Sequence, residues 1–278
     1  MPLLDPELRN VLDLIDSHSH LDAAEFDADR PAVLRRARDA GVDRQIVPAV
    51  AFATFTGLRD LCAAESGIYP AYGLHPMYLA AHKPGHLEEL ARWIEHERPV
   101  AVGECGLDFF VPDLDAQMQR LYFRRQLEIA QDSSLPVILH ARRALEEVIA
   151  TIRQIGHLRG VVHSFSGSAE QARQLWKYGF LIGLGGPLTY PRARRLREIA
   201  ATMPLEFLLL ETDSPDQPLH GHQGKRNEPA LLAEVCACVA QLRGVDPQEI
   251  AAATTANAER LFALPASGRC LQKALDGA

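Results

Sequence analysis

Residues 136–164 read PVILHARRALEEVIATIRQIGHLRGVVHS, and this stretch decides the fold. It opens with a short apolar run, PVILH (136–140), and closes with another, GVVHS (160–164). Between them lies an amphipathic stretch that ends at Gly156, a residue type suited to a helix C-cap. Two buried strands joined by one helix form a parallel pair, because a parallel connection needs a crossover of that length. In such a unit His140 and His163 finish their strands at the same end of the sheet.

The same alternation extends outward in both directions. Further strands are expected at 11–16 (VLDLID), 44–50 (RQIVPAV), 68–74 (IYPAYGL), 99–104 (PVAVGE), 179–184 (GFLIGL) and 206–211 (EFLLLE). Helix-like segments such as RPAVLRRARDAG, PGHLEELARWIEHE, AQMQRLYFRRQLEIAQDS and SAEQARQLWKYG separate them. Eight strand–helix units predict an α/β fold, a (β/α)8 TIM barrel in one domain over 1–265, followed by a C-terminal tail over 266–278. An open doubly wound sheet is the competing arrangement, and no Gly-rich phosphate fingerprint follows the first strand to support it.

Composition narrows the function. With 47% hydrophobic and 23% charged residues the chain is globular rather than disordered. No apolar stretch approaches the ~20 residues of a membrane helix, and MPLLDPELRN lacks the pattern of a secretory signal, so a cytoplasmic protein is expected. Five cysteines, Cys62, Cys105, Cys236, Cys238 and Cys270, are an odd number without C-x-x-C spacing and are expected to be reduced, with Cys236 and Cys238 packing inside a helix. A net charge of −7 excludes a broad basic surface for nucleic acid. Binding of DNA would then need a local site whose positive charge includes metal.

A barrel carries its active site at the C-terminal ends of its strands. Those ends supply His18 and His20, then His75, Glu104, His140, His163 and Asp213. A single histidine ending an apolar strand is more often a hydrogen-bonded structural residue than a ligand. The joint placement on one rim is different, and His82, His86, His96 and His157 are expected to be scattered helix residues outside it. Four imidazoles and two carboxylates suffice for two divalent ions, with Glu104 the natural bridge because a carboxylate has two oxygens. His18, His20 and Asp213 would hold one ion, and His140 with His163 the other. Asp213 can also accept a proton from water. Arg142 and Arg226 are expected to contact substrate, whereas Arg143 reads as a solvated helix start and Asp16 as a residue orienting an imidazole.

The blocks DSHSHLD, GLHP, GECGLDF, PVILHARRA, VVHSFSGS, LLLETDSP, RNEP and TTANAERLF together resemble the TatD family of metal-dependent hydrolases, amidohydrolase-like TIM barrels. The resemblance runs from about Asp16 to Phe262. It implies a divalent-metal centre and deoxyribonuclease activity of the 3′–5′ exonuclease type, with metal ligands at His18, His20, Glu104, His140, His163 and Asp213. One departure stands out: Arg143 occupies a position where the family pattern usually has an acid.

The leading expectation is therefore a hydrolase of DNA phosphodiesters, with Asp213 and Glu104 catalytic and His75, Arg142 and Arg226 binding substrate. The same centre could instead cleave a small-molecule or aminoacyl ester or amide, and a non-catalytic scaffold is a third reading that the complete ligand set disfavours. Imidazole-rich sites suit zinc, manganese or iron better than magnesium, whereas the family resemblance brings in magnesium.

Overall fold

The computed structural model describes residues 12–266, and within them the eight expected units form eight parallel strands in sequential order. They are β1 (Leu14–Asp16), β2 (Val42–Pro48), β3 (Ile68–Tyr72), β4 (Ala101–Asp108), β5 (Val137–Arg142), β6 (Gly160–Val162), β7 (Phe180–Leu184) and β8 (Leu208–Leu210). The Ser17 N–H donates to Leu210 O at 3.0 Å, which draws β8 back toward β1 and makes the barrel nearly closed. The α/β TIM barrel expected from the sequence is thus the fold. The expected tail lies outside the described residues except for Ala266, as does Cys270.

Helices α1 (Arg30–Asp39), α2 (Phe55–Ala64), α3 (His86–Glu97), α4 (Ala116–Asp132), α5 (Leu145–Ile155), α6 (Ala169–Lys177) and α7 (Arg194–Thr202) follow β1 to β7 in turn. After β8 come α8 (Leu232–Arg243) and α9 (Pro247–Phe262). In α5 the buried Val148, Ile149 and Ile152 recur at helical spacing, which turns that face onto the sheet. Ser168 and Gln171 cap the start of α6 reciprocally. Cys236 and Cys238 are buried within α8, in the packing position expected for them.

Side-chain alternation along the strands separates two apolar layers. Ile15, Ile46, Ala71, Ala101, Ile138, Val161, Leu181 and Leu209, one from each strand, fill the barrel interior, and Ala258, Leu261 and Phe262 of α9 pack against them. Residues of opposite phase, such as Val47, Val102, Leu139 and Ile182, join the larger core between sheet and helices. The interior layer also predicts the site. Two residues beyond Ile138, Val161 and Leu209 on the same inward phase stand His140, His163 and Glu211.

Strand β4 reaches four residues beyond the Glu104 terminus expected from the sequence. Its pairing with β5 shifts register between Val102 and Cys105, then continues through Gly106 opposite His140 to Asp108 opposite Arg142. All eight residues of β4 are buried. The shift leaves Val102, Cys105 and Leu107 in the outer core and turns Glu104 toward the histidines.

Candidate metal centre

Glu104, 1% exposed, is the hub of the site, and its two oxygens face different imidazoles. Oε2 lies 3.1 Å from His18 Nε2 and 3.6 Å from His20 Nε2. Oε1 lies 2.7 Å from His163 Nε2, 2.9 Å from His75 Nε2 and 3.0 Å from His140 Nδ1. Asp213 Oδ1 completes the first group at 3.5 Å from His18 Nε2 and 3.6 Å from His20 Nε2. The structure therefore brings together His18, His20, Glu104, His140, His163 and Asp213, and it adds His75.

The convergence of His18 and His20 is made by a loop, since β1 ends at Asp16. Ser19 N–H donates to Ile46 O at 3.1 Å, His20 N–H to Ser214 O at 2.7 Å and Asp213 N–H to His18 O at 2.9 Å. Asp16 does not orient an imidazole, contrary to expectation. It accepts from the backbone N–H of His18 (3.2 Å) and Thr212 (3.0 Å) and from the Thr212 hydroxyl (2.6 Å). Its short side chain ends within the backbone of the β1 and β8 loops, so it fixes their path; burial pushes its carboxyl up to about 7.

Several acceptors and orienting groups escaped the sequence reading. Asp108, fully buried, accepts from His140 Nε2 at 2.8 Å through Oδ2. Its Oδ1 accepts from the N–H groups of Phe110 and Val111. The signal was spacing: Glu104 and Asp108 are four apart on a strand read as ending too early. Glu211, 1% exposed, lies 3.9 Å from His163 Nδ1 and accepts from Ser164 N–H. It stands two residues before Asp213, the same interval that drew attention to His18 and His20. Gly183 makes room for Glu211, because a Cβ there would lie 2.0 Å from Glu211 Oε2. Gln217 donates from Nε2 to Asp213 Oδ2 and packs on Ser164 Oγ. His82, expected to be remote, contacts the site through His75, with its Nε2 at 2.9 Å from His75 O.

The two outer arginines separate. Arg142 stacks 3.7 Å over the Phe110 ring at the end of β5. Arg226 contacts none of the clustered groups; its guanidinium forks onto Asp29 at 2.8 Å per oxygen and reaches Glu25 O.

Electrostatics mark the cluster as built around positive charge. Burial by itself would raise the Glu104 carboxyl, but His163, His75 and His18 hold it well below the usual range. Burial likewise opposes charge on His163, yet Glu104 pushes it up to about 10. His20, half-buried, rises to about 9 against desolvation, through the Asp213 hydrogen bond and Glu104. His18 falls to about 4 by burial and repulsion from His163. Burial drives Glu211 up to about 8, whereas Asp213 is held at about 2, against burial, by His20 and its neighbours.

These residues fit divalent metal. His18 Nε2 faces His20 Nε2 at 3.3 Å, and His163 Nε2 faces His140 Nδ1 at 3.4 Å. Each pair turns two ring nitrogens toward one point, where the deprotonated rings can converge on a cation that takes the place of the shared proton. Among the described residues His18 Nδ1, His163 Nδ1 and Glu211 Oε2 are buried without hydrogen-bond partners, a costly condition that an ion held by these three residues would relieve. Three ligand groups among the described residues are compact enough for an ion: His18, His20 and Glu104; His75, Glu104 and His140; and His18, His163 and Glu211.

Comparison with known proteins agrees with this chemistry. The family described as TatD related DNase matches residues 15–263. An uncharacterised metal-dependent hydrolase of Escherichia coli K12, YjjV, is 42% identical over 254 residues, covering 90% of this chain and 98% of that protein. The Bacillus subtilis 168 counterpart YabD, also an uncharacterised metal-dependent hydrolase, is 36% identical over 251 residues, covering 90% and 98%. The crystal structure of YjjV superposes with a TM-score of 0.88 at 40% identity, covering 92% of this chain and all of that one. A TatD-family hydrolase from Entamoeba histolytica, 20% identical with a TM-score of 0.79, covers 90% of this chain and 98% of its own and shares the fold. A buried imidazole–carboxylate cluster at the C-terminal rim of such a barrel, with a family match spanning the barrel, has one reading: the chain belongs to the TatD family and is a metal-dependent hydrolase.

Proposed function

We propose that the protein is a deoxyribonuclease that removes nucleotides from a DNA end, 3′ to 5′, using two divalent ions. The observation that carries this reading is the division of Glu104, whose Oε2 faces His18 and His20 and whose Oε1 faces His75, His140 and His163. A carboxylate shared in this way is the bridge that a two-ion site needs. His18, His20 and Asp213 would hold one ion, and His140 and His163 the other. When bound, zinc, magnesium or manganese would lower the pKa of water and stabilise the attacking and leaving oxygens of a displacement at phosphorus.

The chain's own groups supply orientation. Gln217 occupies Asp213 Oδ2, so Oδ1 is the oxygen left facing the histidines, where it accepts a hydrogen bond from the attacking water and aligns it. Arg142, packed over Phe110, offers guanidinium N–H donors to a phosphate of the bound strand. His75 joins the group around Glu104 and steadies it rather than reaching outward. Arg226 is left out of this role by its pairing with Asp29. DNA is the substrate, bound at a local site, and the cytoplasm is the compartment in this reading.

The test is cleavage of end-labelled single- and double-stranded DNA by purified protein with zinc, manganese or magnesium, beside a panel of carboxyl esters. Stepwise shortening of the DNA from its 3′ end is the expected result. Ester hydrolysis with intact DNA would overturn the proposal.

A further inference from the structure

The end of β5 and the turn after it hold two consecutive arginines against one ring. The Arg142 guanidinium carbon lies 3.7 Å and that of Arg143 4.6 Å from the centroid of Phe110. Phe110 is 44% exposed, and both arginines are exposed. Among the described residues neither guanidinium has a carboxylate partner or a side-chain hydrogen bond. Other arginines at the rim do: Arg226 takes Asp29, and Arg120 takes Glu147. Two unpaired cations on one ring repel each other, in a chain whose net charge is −7. An anion between them would turn that repulsion into attraction.

The platform is tied to the catalytic rim. His140 and Arg142 are two apart on β5 and so share a face about 7 Å apart. Asp108 accepts from His140 with one oxygen and from the Phe110 N–H, at 2.8 Å, with the other. Phe109 N–H donates to Arg142 O at 2.9 Å, which locks the Phe110 segment to β5. Arg143 has φ +54°, a left-handed conformation that costs a non-glycine residue energy and that clusters at functional sites. A guanidinium stacked on a ring keeps its edge N–H donors free, which is the geometry that grips phosphate oxygens.

We infer that Phe110, Arg142 and Arg143 form a phosphate subsite beside the metal centre, which holds a non-scissile phosphate of the substrate strand. The inference rests on the phosphodiesterase reading and narrows it: the protein prefers strands with consecutive phosphates over isolated diesters. Arg143 is then the residue that sets this preference, and Phe110 its support.

The test compares wild type with Arg143→Ala, Arg143→Lys and Phe110→Leu on a single-stranded oligodeoxynucleotide and on bis(p-nitrophenyl) phosphate, which has one phosphate. Arg143→Ala is expected to lower kcat/KM on the oligonucleotide about tenfold, chiefly through KM, while the small diester stays within about twofold. The salt dependence on the oligonucleotide should fall in slope by about 0.7, with Arg143→Lys retaining most of it. Phe110→Leu should shift the oligonucleotide constant in the same direction. Oligonucleotide kinetics equal to wild type in Arg143→Ala, or a parallel loss on both substrates, would overturn the subsite. A wild type that cleaves neither substrate overturns the phosphodiesterase reading instead. In that event anisotropy of a labelled oligonucleotide decides the subsite, with equal affinity for wild type and Arg143→Ala counting against it.

Discussion

His140 turns Nδ1 toward Glu104 while its Nε2 lies 2.8 Å from Asp108 Oδ2, so one carboxylate fixes both the tautomer and the direction of a candidate ligand. Such partners of metal-binding histidines commonly contribute ~10–100-fold to metal affinity or activity. Asp108→Asn keeps an acceptor for the Phe110 and Val111 N–H groups and removes the charge behind His140. Metal affinity or kcat/KM is expected to fall by that order with the melting temperature little changed, and titration calorimetry with steady-state kinetics measures both.

Metal uptake should depend on pH in a definite direction. In the metal-free protein His20 titrates near 9 and His163 near 10, both raised by the surrounding carboxylates against the effect of burial. At neutral pH a cation must therefore displace protons from these rings. Apparent affinity should rise with pH from the neutral range and level off only above about 10, and calorimetry in buffers of different ionisation enthalpy should register proton release. Because both values are raised, their contribution to metal-free stability is complete below about 6.5 and is lost as pH rises through 9 and 10. Affinity independent of pH would contradict the cluster's charge state.

Gly106 is a point of close backbone approach between the strands of the same site. Its φ is +150°, and a Cβ there would lie 2.0 Å from His140 O, inside the β4–β5 pairing. Gly106→Ala must push apart the strands that supply Glu104 and His140. A loss of ~2–4 kcal/mol in unfolding free energy, with activity reduced further than stability explains, is expected from denaturant titration and kinetics.

Arg226 offers a contrasting case. Its guanidinium is partly exposed and already paired with Asp29. Arg226→Ala should cost no more than ~1 kcal/mol in stability and leave kcat/KM within about twofold, since exposed ion pairs contribute little. A tenfold rise in KM would restore it to the substrate site.

The barrel was legible because each strand is a short apolar run and each crossover is amphipathic, a pattern that local sequence carries directly. His140, His163 and Asp213 were legible for the same reason, since a polar residue ending a buried run is conspicuous. Asp108 was hidden by GECGLDFF, where Gly103, Gly106 and a register shift disguise four further residues of strand. Glu211 was absorbed into LLLE as a strand terminus, although its two-residue interval to Asp213 matches that of His18 and His20. Arg143 read as a solvated helix start because the ring beneath it comes from a different strand loop, a relationship only the fold supplies.

The central claim is that Glu104 joins two ions into one hydrolytic site. Metal content and DNA cleavage measured together on wild type and Glu104→Ala test it most directly, with circular dichroism to confirm the fold. Two equivalents of metal and 3′-end shortening are expected for wild type, with cleavage abolished and at least one equivalent lost in the folded variant. A folded Glu104→Ala protein that binds two equivalents and still degrades the labelled strand would contradict the account.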